Sequence, residues 1–184
     1  MGVPKMSSAS RIEPLHAQAL GAFLDHLERH MPTSDQDGSP TTPQQAGERP
    51  TREQLASRLG QAWARPLTEP DWLRSWALWD RDQLVGHVQL RGGKFRSELH
   101  RANLGMGLEA AYRGQGRGRL LLEAALRWSR ETTLEWIDLG VFTDNMAAIG
   151  LYERCGFGRV GHVVDRFRLH EKKIDEFQMT LKLR

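Results

Sequence analysis

The chain has 184 residues, of which 39% are hydrophobic and 27% are charged, as in an ordinary soluble globular protein. A net charge of +3 is too mild to argue for a nucleic-acid partner, and no apolar run approaches the 18 residues of a membrane-spanning helix. The single cysteine excludes an internal disulfide, and the N-terminus lacks an apolar leader, so we expect a reducing, cytoplasmic location. We expect residues 1–10 to be flexible and residues 11–184 to form one domain.

The first half of the chain predicts a strand, two helices and a hairpin. RIEPL predicts a strand at residues 11–15, and the apolar spacing of LHAQALGAFLDHLERH predicts a helix over residues 15–30. Residues 31–50 are rich in Pro, Gly, Ser, Thr and Gln, which predicts a long loop that is either functional or disordered. Thr51 is a suitable cap for a helix over TREQLASRLGQAW. WLRSWALWD and QLVGHVQLRG alternate and predict a hairpin that turns at residues 80–82.

The second half predicts alternating strands and helices. A turn region, RGGKFRS, precedes a strand over residues 98–110, then a helix that begins near residue 116 and a strand over LEWIDLGVFT. DNMAAIGLYERCGF predicts a helix that ends at Gly156, and two last strands surround a turn at residues 171–173. The order is therefore β-α-α-β-β-β-α-β-α-β-β. Its strand–helix–strand unit up to residue 142 implies a parallel pair within a mixed sheet.

The segment YRGQGRGRLLLEAALRW places alternating glycines and basic residues directly before a helical run. These residues are Arg113, Gly114, Gln115, Gly116, Arg117, Gly118 and Arg119. A helix N-terminus carries unsatisfied N–H groups and the positive end of the helix dipole, and glycine lets an anion approach the backbone. The segment therefore predicts a phosphate or pyrophosphate site, with a plain strand-to-helix turn as the alternative.

Two common nucleotide-binding loops fail on spacing. A P-loop requires Lys-Ser or Lys-Thr after the glycines, and neither follows here. The G-x-G-x-x-G pattern, counted from Gly114, puts Arg119 where the third glycine belongs. The segment also begins beyond residue 110, far from a first strand.

Two motifs together resemble the GNAT N-acetyltransferase superfamily, in particular its bacterial branch that acts on amino acids and other small amines. RGQGRG matches the signature R/Q-x-x-G-x-G/A, and NMAAIGLYERCGF resembles N-x-x-A-x-x-x-Y-x-x-x-G-F. The resemblance covers about residues 83–183. It implies an α+β (mixed α/β) fold. Its mostly antiparallel central sheet has six or seven strands, is splayed between strands four and five, and is flanked by about four helices.

The resemblance implies acetyl-CoA as the co-substrate, with the pyrophosphate on the main-chain amides of residues 113–118 and Arg119 following. It also implies that strand four binds the pantetheine arm and offers an amide to the thioester carbonyl. The matching residues are Gly107, Leu108 and Glu109. Gly105 and Gly107 fit the close approach of a ligand, with a strand bulge as the alternative.

Asn145, Ala148 and Tyr152 are spaced i, i+3 and i+7, so they share one helix face. The resemblance puts Asn145 on the pantetheine arm and Tyr152 near the thioester sulfur, where a phenol can protonate the leaving thiolate. The alternative for Tyr152 is an aromatic ring packed under the sheet. The alternative for Asn145 is a helix cap, a role that Asp144 can also fill.

The candidates for the base that deprotonates the amine are Glu98, His100 and Glu109, which lie on or beside strand four, with a chain of waters as the alternative. The implied reaction is direct transfer of the acetyl group to a primary amine of a small molecule, such as an amino acid, a polyamine or an amine antibiotic. The alternatives are acetylation of a protein N-terminus or lysine, and a CoA-binding module without catalysis. Dimers are common in the family, so the resemblance also allows for a homodimer.

Several other residues are candidates for a role in reactivity, metal binding or substrate recognition. Cys155 is interpreted as packing, and the seven histidines show no metal-ligand spacing, so no metal is predicted. One or two of four tryptophans are expected to line the acceptor pocket, the others to lie in the core. These are Trp63, Trp72, Trp76 and Trp79. Asp165 and Glu171 are candidates for attracting a cationic amine, and neither a nucleic acid nor a membrane is an expected partner.

Overall fold

The computed structural model describes residues 10–36, 49–169 and 172–184, which form one sheet with helices on both faces. The strands are β1 (Ser10–Pro14), β2 (Leu73–Asp80), β3 (Gln83–Gly92), β4 (Arg101–Leu108), β5 (Trp136–Phe142), β6 (Gly158–Leu169) and β7 (Lys172–Lys182). The α-helices are α1 (Leu20–Gln36), α2 (Arg52–Ala64), α3 (Arg117–Arg130) and α4 (Met146–Arg154). Their order along the chain confirms the predicted order.

The seven strands of the described residues lie in the order β1-β2-β3-β4-β5-β7-β6. β4 and β5 are parallel, and all other neighbours are antiparallel. This confirms the mixed, mostly antiparallel sheet and the parallel pair around α3. The predicted hairpin of β2 and β3 is also confirmed, with Arg81 at a φ of 54° in its turn.

Two apolar cores lie on opposite faces of the sheet. The larger core joins α3 and α4 to the sheet through side chains such as Leu121, Ile149 and Ile137. The smaller core joins α1 and α2 to β2 and β3 through side chains such as Phe23 and Leu59. Each helix buries one apolar stripe, so the sheet is covered on both sides where the strands are most apolar.

Local sequence signals explain the ends of the helices. The Thr51 hydroxyl accepts a hydrogen bond from the Gln54 backbone at 3.3 Å, and the Gln54 side chain accepts one from the Thr51 backbone at 3.1 Å. This reciprocal capping box confirms the predicted start of α2. Gly156 follows α4 at a φ of 94°, a left-handed conformation typical of glycine after a helix.

Several predicted boundaries were wrong. α1 continues through Pro32 to Gln36, although a proline in a helix interior removes one backbone hydrogen bond and usually ends or kinks the helix. The predicted loop at residues 31–50 is therefore partly helix, and its residues 37–48 lie outside the described residues. The N-terminus predicted to be flexible also lies outside them, apart from Ser10, which begins β1.

The predicted strand at residues 98–110 is shorter, because Glu98 ends a 3-10 turn in which its carboxylate binds two backbone amides. The predicted turn at residues 171–173 was also wrong in part. Lys172 and Lys173 belong to β7 and pair with Leu169 and Arg168 of β6, and residues 170 and 171 lie outside the described residues. No helix in the described ranges is both long and apolar enough to cross a membrane.

Candidate active site

β4 and β5 separate soon after they begin. Register pairs join them only at residues 101–103 and 136–138. Beyond these pairs, β4 stays paired with β3 as far as Leu108, and β5 stays paired with β7 as far as Phe142. In the described part of the chain no strand fills the space between these two ends, which we call the β4–β5 gap. Backbone groups on both of its edges are therefore open to a ligand.

The backbone amides at the end of β4 alternate in direction. The N–H of Glu109 donates to the Val85 carbonyl oxygen on β3 at 3.0 Å. Because successive residues of a strand direct their N–H groups to opposite edges, the N–H of Leu108 points into the β4–β5 gap. Of Gly107, Leu108 and Glu109, it is thus Leu108 whose amide faces the β4–β5 gap.

The predicted phosphate loop begins α3. Gly114 and Gly116 have φ values of 73° and 75°, and Gly116 is the N-cap of the helix. A Cβ at Gly118 would lie 3.4 Å from the Leu151 side chain, an ordinary contact. Among the described residues, no backbone N–H of residues 114–118 donates a hydrogen bond to another part of the chain. The loop therefore presents a row of free amides at the positive end of the helix dipole.

Two arginines of this loop have buried nitrogen atoms that lack a hydrogen-bond partner within the described structure. They are Nη2 of Arg113 and Nη1 of Arg117. Arg113 is held by its Nε, which donates to the Leu108 carbonyl oxygen at 2.9 Å, and the Arg117 guanidinium lies 4.7 Å from the centre of the Tyr112 ring. An unpaired buried donor costs free energy, so both guanidinium groups are suited to an anion.

Two other polar side chains of the loop bind within the loop and its helix. The Gln115 side-chain amide donates to the Ala111 carbonyl oxygen at 2.9 Å. Nε of Arg119 donates to the Glu123 carboxylate at 2.7 Å, as an exposed i, i+4 pair. These contacts shape the loop and leave its backbone amides free.

The two glycines of β4 have different surroundings. A Cβ at Gly107 would lie 2.5 Å from Nε2 of His30 and 2.7 Å from Cε1 of His87. A Cβ at Gly105 would meet no described atom within 4 Å. Gly107 therefore allows side chains of α1 and β3 to pack against the strand, which is a reason for glycine that involves no ligand. Gly105 lies beside open space.

Glu109 directly follows β4, and its carboxylate faces α1. Its Oε1 accepts hydrogen bonds from Nδ1 of His26 at 2.9 Å and from Nε of Arg29 at 3.2 Å. The side chain is 15% exposed. No group of the described residues donates to Oε2. Glu109 is therefore a nearly buried carboxylate with one oxygen bound by the protein and the other open.

Three histidines that the sequence did not single out form a buried cluster behind Glu109. His26 and His30 come from α1 and His87 from β3, with exposed fractions of 0%, 6% and 8%. Nε2 of His26 lies 3.0 Å from Nδ1 of His87, and the His30 ring stacks on His26 at 5.5 Å. Burial is the largest cause that lowers the pKa of all three rings, that of His30 to about 4 with help from His26 and Arg113. All three imidazoles are therefore neutral at neutral pH.

The sequence contains only a weak signal for this cluster. His26 and His30 are one helical turn apart on the apolar stripe of α1, and His87 interrupts the apolar run QLVGHVQL. Polar residues at positions that periodicity assigns to the core require hydrogen-bond partners. The periodicity does not say which partners, because it does not reveal that α1 crosses β3 and β4.

α4 carries the second predicted group. Asn145 caps the helix, since its Oδ1 accepts from the Ala148 backbone N–H at 3.1 Å, and Ala148 is half-buried against the larger core. Tyr152 is 6% exposed, and its ring lies 5.7 Å from that of Phe157. Burial raises the pKa of Tyr152 to about 12, so its hydroxyl stays protonated.

Glu109 and Tyr152 lie on opposite faces of the sheet. Leu104 of β4 belongs to the same core as Tyr152, on the side of α3 and α4. Side chains alternate along a strand, so Gly107 and the following Glu109 face the other side, where they meet α1. The β4–β5 gap thus separates a carboxylate on one face from a phenol on the other.

Glu98 and His100 are not brought together with Glu109. The Glu98 carboxylate accepts from the backbone N–H groups of Lys94 and Phe95 at 2.9 and 3.2 Å. His100 is exposed at the start of β4, and Glu109 follows the end of this strand, which is roughly 26 Å long at 3.3 Å per residue. Among the three predicted bases, Glu109 is the one beside the β4–β5 gap.

Trp63, Trp72 and Trp76 lie near the start of β2, whereas Trp79 lies near its other end and pairs with Leu84 of β3. Trp63 and Trp76 line a cavity of about 520 Å³ between the end of β1, α2 and the start of β2. Trp72 is fully buried, and Trp79 packs under the Arg11 guanidinium at 5.0 Å. The start of β2 is level with the joined end of β4 and β5, so this cavity lies away from Glu109.

Cys155 and Asp165 are accounted for by their surroundings. Cys155 is half-buried, and burial raises the pKa of its thiol, the opposite of what an activated nucleophile needs. Asp165 binds the Arg168 guanidinium through both oxygens at 3.0 and 2.7 Å, and Glu171 lies outside the described residues. Over the described ranges, no group of three or more His, Cys, Asp and Glu residues is arranged to hold a metal ion.

Glu176 of β7 is another acidic residue that the sequence did not single out. Its carboxylate occupies the position that a Cβ of Gly140 would take on β5. The Glu176 side chain is 15% exposed, and its Oε2 lies 3.6 Å from Nε of Arg166. A carboxylate therefore lies against the β5 backbone on the other edge of the β4–β5 gap.

A model of the Acetyltransferase (GNAT) family matches residues 39–157, which is more than half of the chain, and the chain belongs to this family. The fold agrees with this assignment. The Salmonella typhimurium protein yncA, solved with its cofactor acetyl-CoA, superposes with a TM-score of 0.80 at 14% identity, covering 96% of this chain and 95% of that one.

Two curated relatives are similar in sequence. Mycothiol acetyltransferase of Gordonia bronchialis is 34% identical over 111 residues, which cover 58% of this chain and 33% of the relative. N-alpha-acetyltransferase RimI of Mycobacterium tuberculosis is 39% identical over 82 residues, which cover 42% of this chain and 48% of the relative. The matches thus span between a third and a half of the length of these relatives.

Proposed function

We propose that this chain is an N-acetyltransferase that moves the acetyl group of acetyl-CoA directly to a primary amine of a small molecule. Family membership supports the acetyl transfer. The observation that carries the donor side is the loop before α3, where the free amides of residues 114–118 meet buried, unpaired nitrogens of Arg113 and Arg117.

This loop fits the pyrophosphate of acetyl-CoA. A pyrophosphate supplies several anionic oxygens, which free backbone amides and guanidinium nitrogens can bind with charge-assisted hydrogen bonds. A side chain at Gly114 would project into open space, so the absence of one leaves room for the anion. Arg113 to Gly118 and the following Arg119 are therefore our candidates for binding the pyrophosphate.

The thioester arm fits the β4–β5 gap. The inner edge of β4 at Gly107, Leu108 and Glu109 is our candidate for binding the pantetheine, and the amide of Leu108 is the one directed to the thioester oxygen. A backbone N–H at this place stabilises negative charge on that oxygen in the transition state. Asn145 and Ala148 at the start of α4 are the candidates on the other edge.

We assign base and acid to opposite faces of the gap. Glu109 takes a proton from the acceptor ammonium, and the freed nitrogen lone pair attacks the thioester carbonyl carbon. Tyr152, whose buried phenol is kept protonated, gives its proton to the thiolate as the carbon–sulfur bond breaks. The nitrogen loses its second proton to solvent, solvent protonates the phenolate again, and Glu109 releases its proton to solvent. The products are therefore the amide, free CoA thiol and one net proton.

The test is release of free CoA thiol from acetyl-CoA by the purified full chain across a panel of amines. The panel contains amino acids, polyamines, aminoglycosides, a peptide with an N-terminal alanine and a peptide with an internal lysine. We expect thiol release with a member of the small-amine set that depends on both substrates. Binding of acetyl-CoA without thiol release from any amine would favour a CoA-binding module without catalysis.

One observation favours a second candidate, acetylation of a protein N-terminus. The relative named N-alpha-acetyltransferase RimI is 39% identical over its matched part. The same panel separates the two, because a kcat/KM at least about tenfold higher for the N-terminal peptide than for any small amine would replace the small-molecule assignment.

A further inference from the structure

Three groups on the α1 side of the sheet form a continuous hydrogen-bonded chain that ends on Glu109. His87 contacts His26 at 3.0 Å, and His26 contacts Oε1 of Glu109 at 2.9 Å. Arg29 also binds Oε1, so among the described residues the carboxylate has donors on one oxygen only. Both oxygens of a carboxylate accept hydrogen bonds equally well, so this arrangement leaves the full acceptor capacity of Oε2 unused by the protein.

The chemistry of each group fixes the direction of the hydrogen bonds. An ionised carboxylate can only accept, so Nδ1 of His26 must carry a hydrogen. A neutral imidazole has one N–H, so Nε2 of His26 must accept from Nδ1–H of His87. His26 and His87 are both buried, with 0% and 8% of their surface exposed, and therefore neutral near pH 7. The chain thus runs in one direction, from His87 through His26 to Glu109.

We propose that His26, held in its Nδ1–H tautomer by His87, is a positioning residue that binds Oε1 of Glu109 and leaves Oε2 to take the proton of the acceptor amine. The inference rests on the proposed function, in which Glu109 is the base. The nitrogen–hydrogen bond of the ammonium breaks, an oxygen–hydrogen bond forms at Oε2, and the electron pair stays on nitrogen. His26 keeps its own proton throughout.

Other charged and titratable groups surround this chain. Arg29 and His30 face it from α1, and Tyr112 and Arg113 from the loop after β4. Arg29 is 41% exposed and binds the same oxygen as His26, so it shares the task of holding the ionised carboxylate. His26 is fully buried, and so it fixes the geometry more strictly than an exposed arginine can.

The first experiment reads the tautomers directly in the unaltered protein. Nitrogen-15 NMR of histidine side chains distinguishes Nδ1–H from Nε2–H rings, and His26→Asn and His87→Asn assign the two signals. We expect both rings to be Nδ1–H tautomers at pH 7. An Nε2–H tautomer of His26 would overturn the proposal, whatever the activity of the variants.

The second experiment measures initial rates, with the best amine found in the panel, for a matched set of variants. His26→Leu removes the donor to Glu109, whereas the amide nitrogen of His26→Asn lies near the position of Nδ1 and still donates. We expect His26→Leu to lower kcat about 10- to 100-fold through misplacement of the base, with KM for acetyl-CoA unchanged. We expect His26→Asn to recover most of the loss.

The pH profile separates positioning from mere packing. Loss of a donor to an ionised carboxylate favours its protonated form, so the acidic limb of kcat/KM for the amine should move to higher pH in His26→Leu. Phe23→Leu is the control, because the Phe23 ring packs on His26 and His87 at 6.4 and 5.2 Å without a hydrogen bond. It should leave the acidic limb in place.

Each outcome decides between the alternatives. Equal losses of kcat in His26→Leu, His26→Asn and Phe23→Leu with one shared pH profile would reduce His26 to a packing role and overturn the proposal. Full activity in Glu109→Gln would instead remove Glu109 as the base, and with it that part of the proposed function. Should His26→Leu fail to fold, the tautomer measurement and His26→Asn still decide the matter.

Discussion

On the face of the sheet covered by α1, the side chains beside β4 are buried, polar and joined by hydrogen bonds through His26, His87 and Glu109. On the face covered by α3 and α4, the buried side chains beside the same strand are apolar apart from Tyr152 and Ser129. Both surroundings are largely buried, but they act on their titratable groups differently. The polar face fixes the direction of a carboxylate, whereas the apolar face raises the pKa of a phenol and keeps it protonated.

Under the proposed mechanism, this contrast lets one gap hold both a base and an acid. Two titratable groups in one environment would shift together, and the proposed reaction needs one group ionised and the other neutral. The sheet separates them, since residues that alternate along β4 face opposite layers. The following predictions test the two faces separately, starting with the largest effect.

The largest effect is expected at the loop on the side of α3. Gly116→Val should weaken acetyl-CoA binding about 100-fold or more, because two charge-assisted hydrogen bonds of about 1.5–3 kcal/mol each are lost. Calorimetry with acetyl-CoA measures the loss. Gly156→Val is the matched control, since Gly156 also has a positive φ, 94°, but lies after α4. The Gly156→Val variant should have a lower free energy of unfolding and should still bind acetyl-CoA. Equal affinity in Gly116→Val and the unaltered chain would contradict the loop assignment.

The phenol on the same face should affect chemistry and not binding. Tyr152→Phe should lower kcat about 100-fold with little change in the affinity for acetyl-CoA, because a proton donor is lost while the ring remains. Phe157→Leu, which removes the neighbouring ring and keeps the hydroxyl, should lower kcat far less. An unchanged kcat in Tyr152→Phe would exclude Tyr152 as the acid.

The polar face should be intolerant of added volume. Gly107→Ala should lower the free energy of unfolding by about 2 kcal/mol, because its Cβ would lie 2.5 Å from His30 and 2.7 Å from His87. Gly105→Ala on the same strand is the control, since a Cβ there meets no described atom within 4 Å. Urea unfolding of the two variants measures the difference. Equal free energies of unfolding would contradict the prediction, because the histidine side chains would then move aside at little cost.

The smallest effect concerns pH. The pKa of His30 is lowered to about 4 in the folded chain, against 6.5 when unfolded, so the unfolded state binds more protons between pH 4 and 6.5. Stability therefore rises with pH across this window. His30→Leu should reduce that slope by at most about 1.4 kcal/mol per pH unit and leave it unchanged above pH 7. Urea unfolding at pH 5, 6 and 8 measures the slope, and an unaltered slope in the variant would contradict a neutral His30.

Local signals in the sequence determined much of this protein. Apolar periodicity and turn residues predicted every strand and α-helix of the described residues in the right order. The glycines before α3 predicted a helix start with free amides, because such features depend on neighbouring residues. The boundaries at residues 31–36 and 98–100 were wrong, since a proline tolerated within a helix and a carboxylate that binds its own loop override simple propensity.

Only the tertiary structure decided which titratable groups meet. His26 and Glu109 are 83 residues apart in the sequence, and they touch because α1 crosses β3 and β4 where Gly107 has no side chain. The same packing places Glu109, among the three predicted bases, beside the β4–β5 gap, because Glu98 and His100 lie at the other end of β4. A pattern of neighbouring residues records which faces are apolar, but the partners of a buried polar group depend on how separate elements pack in space.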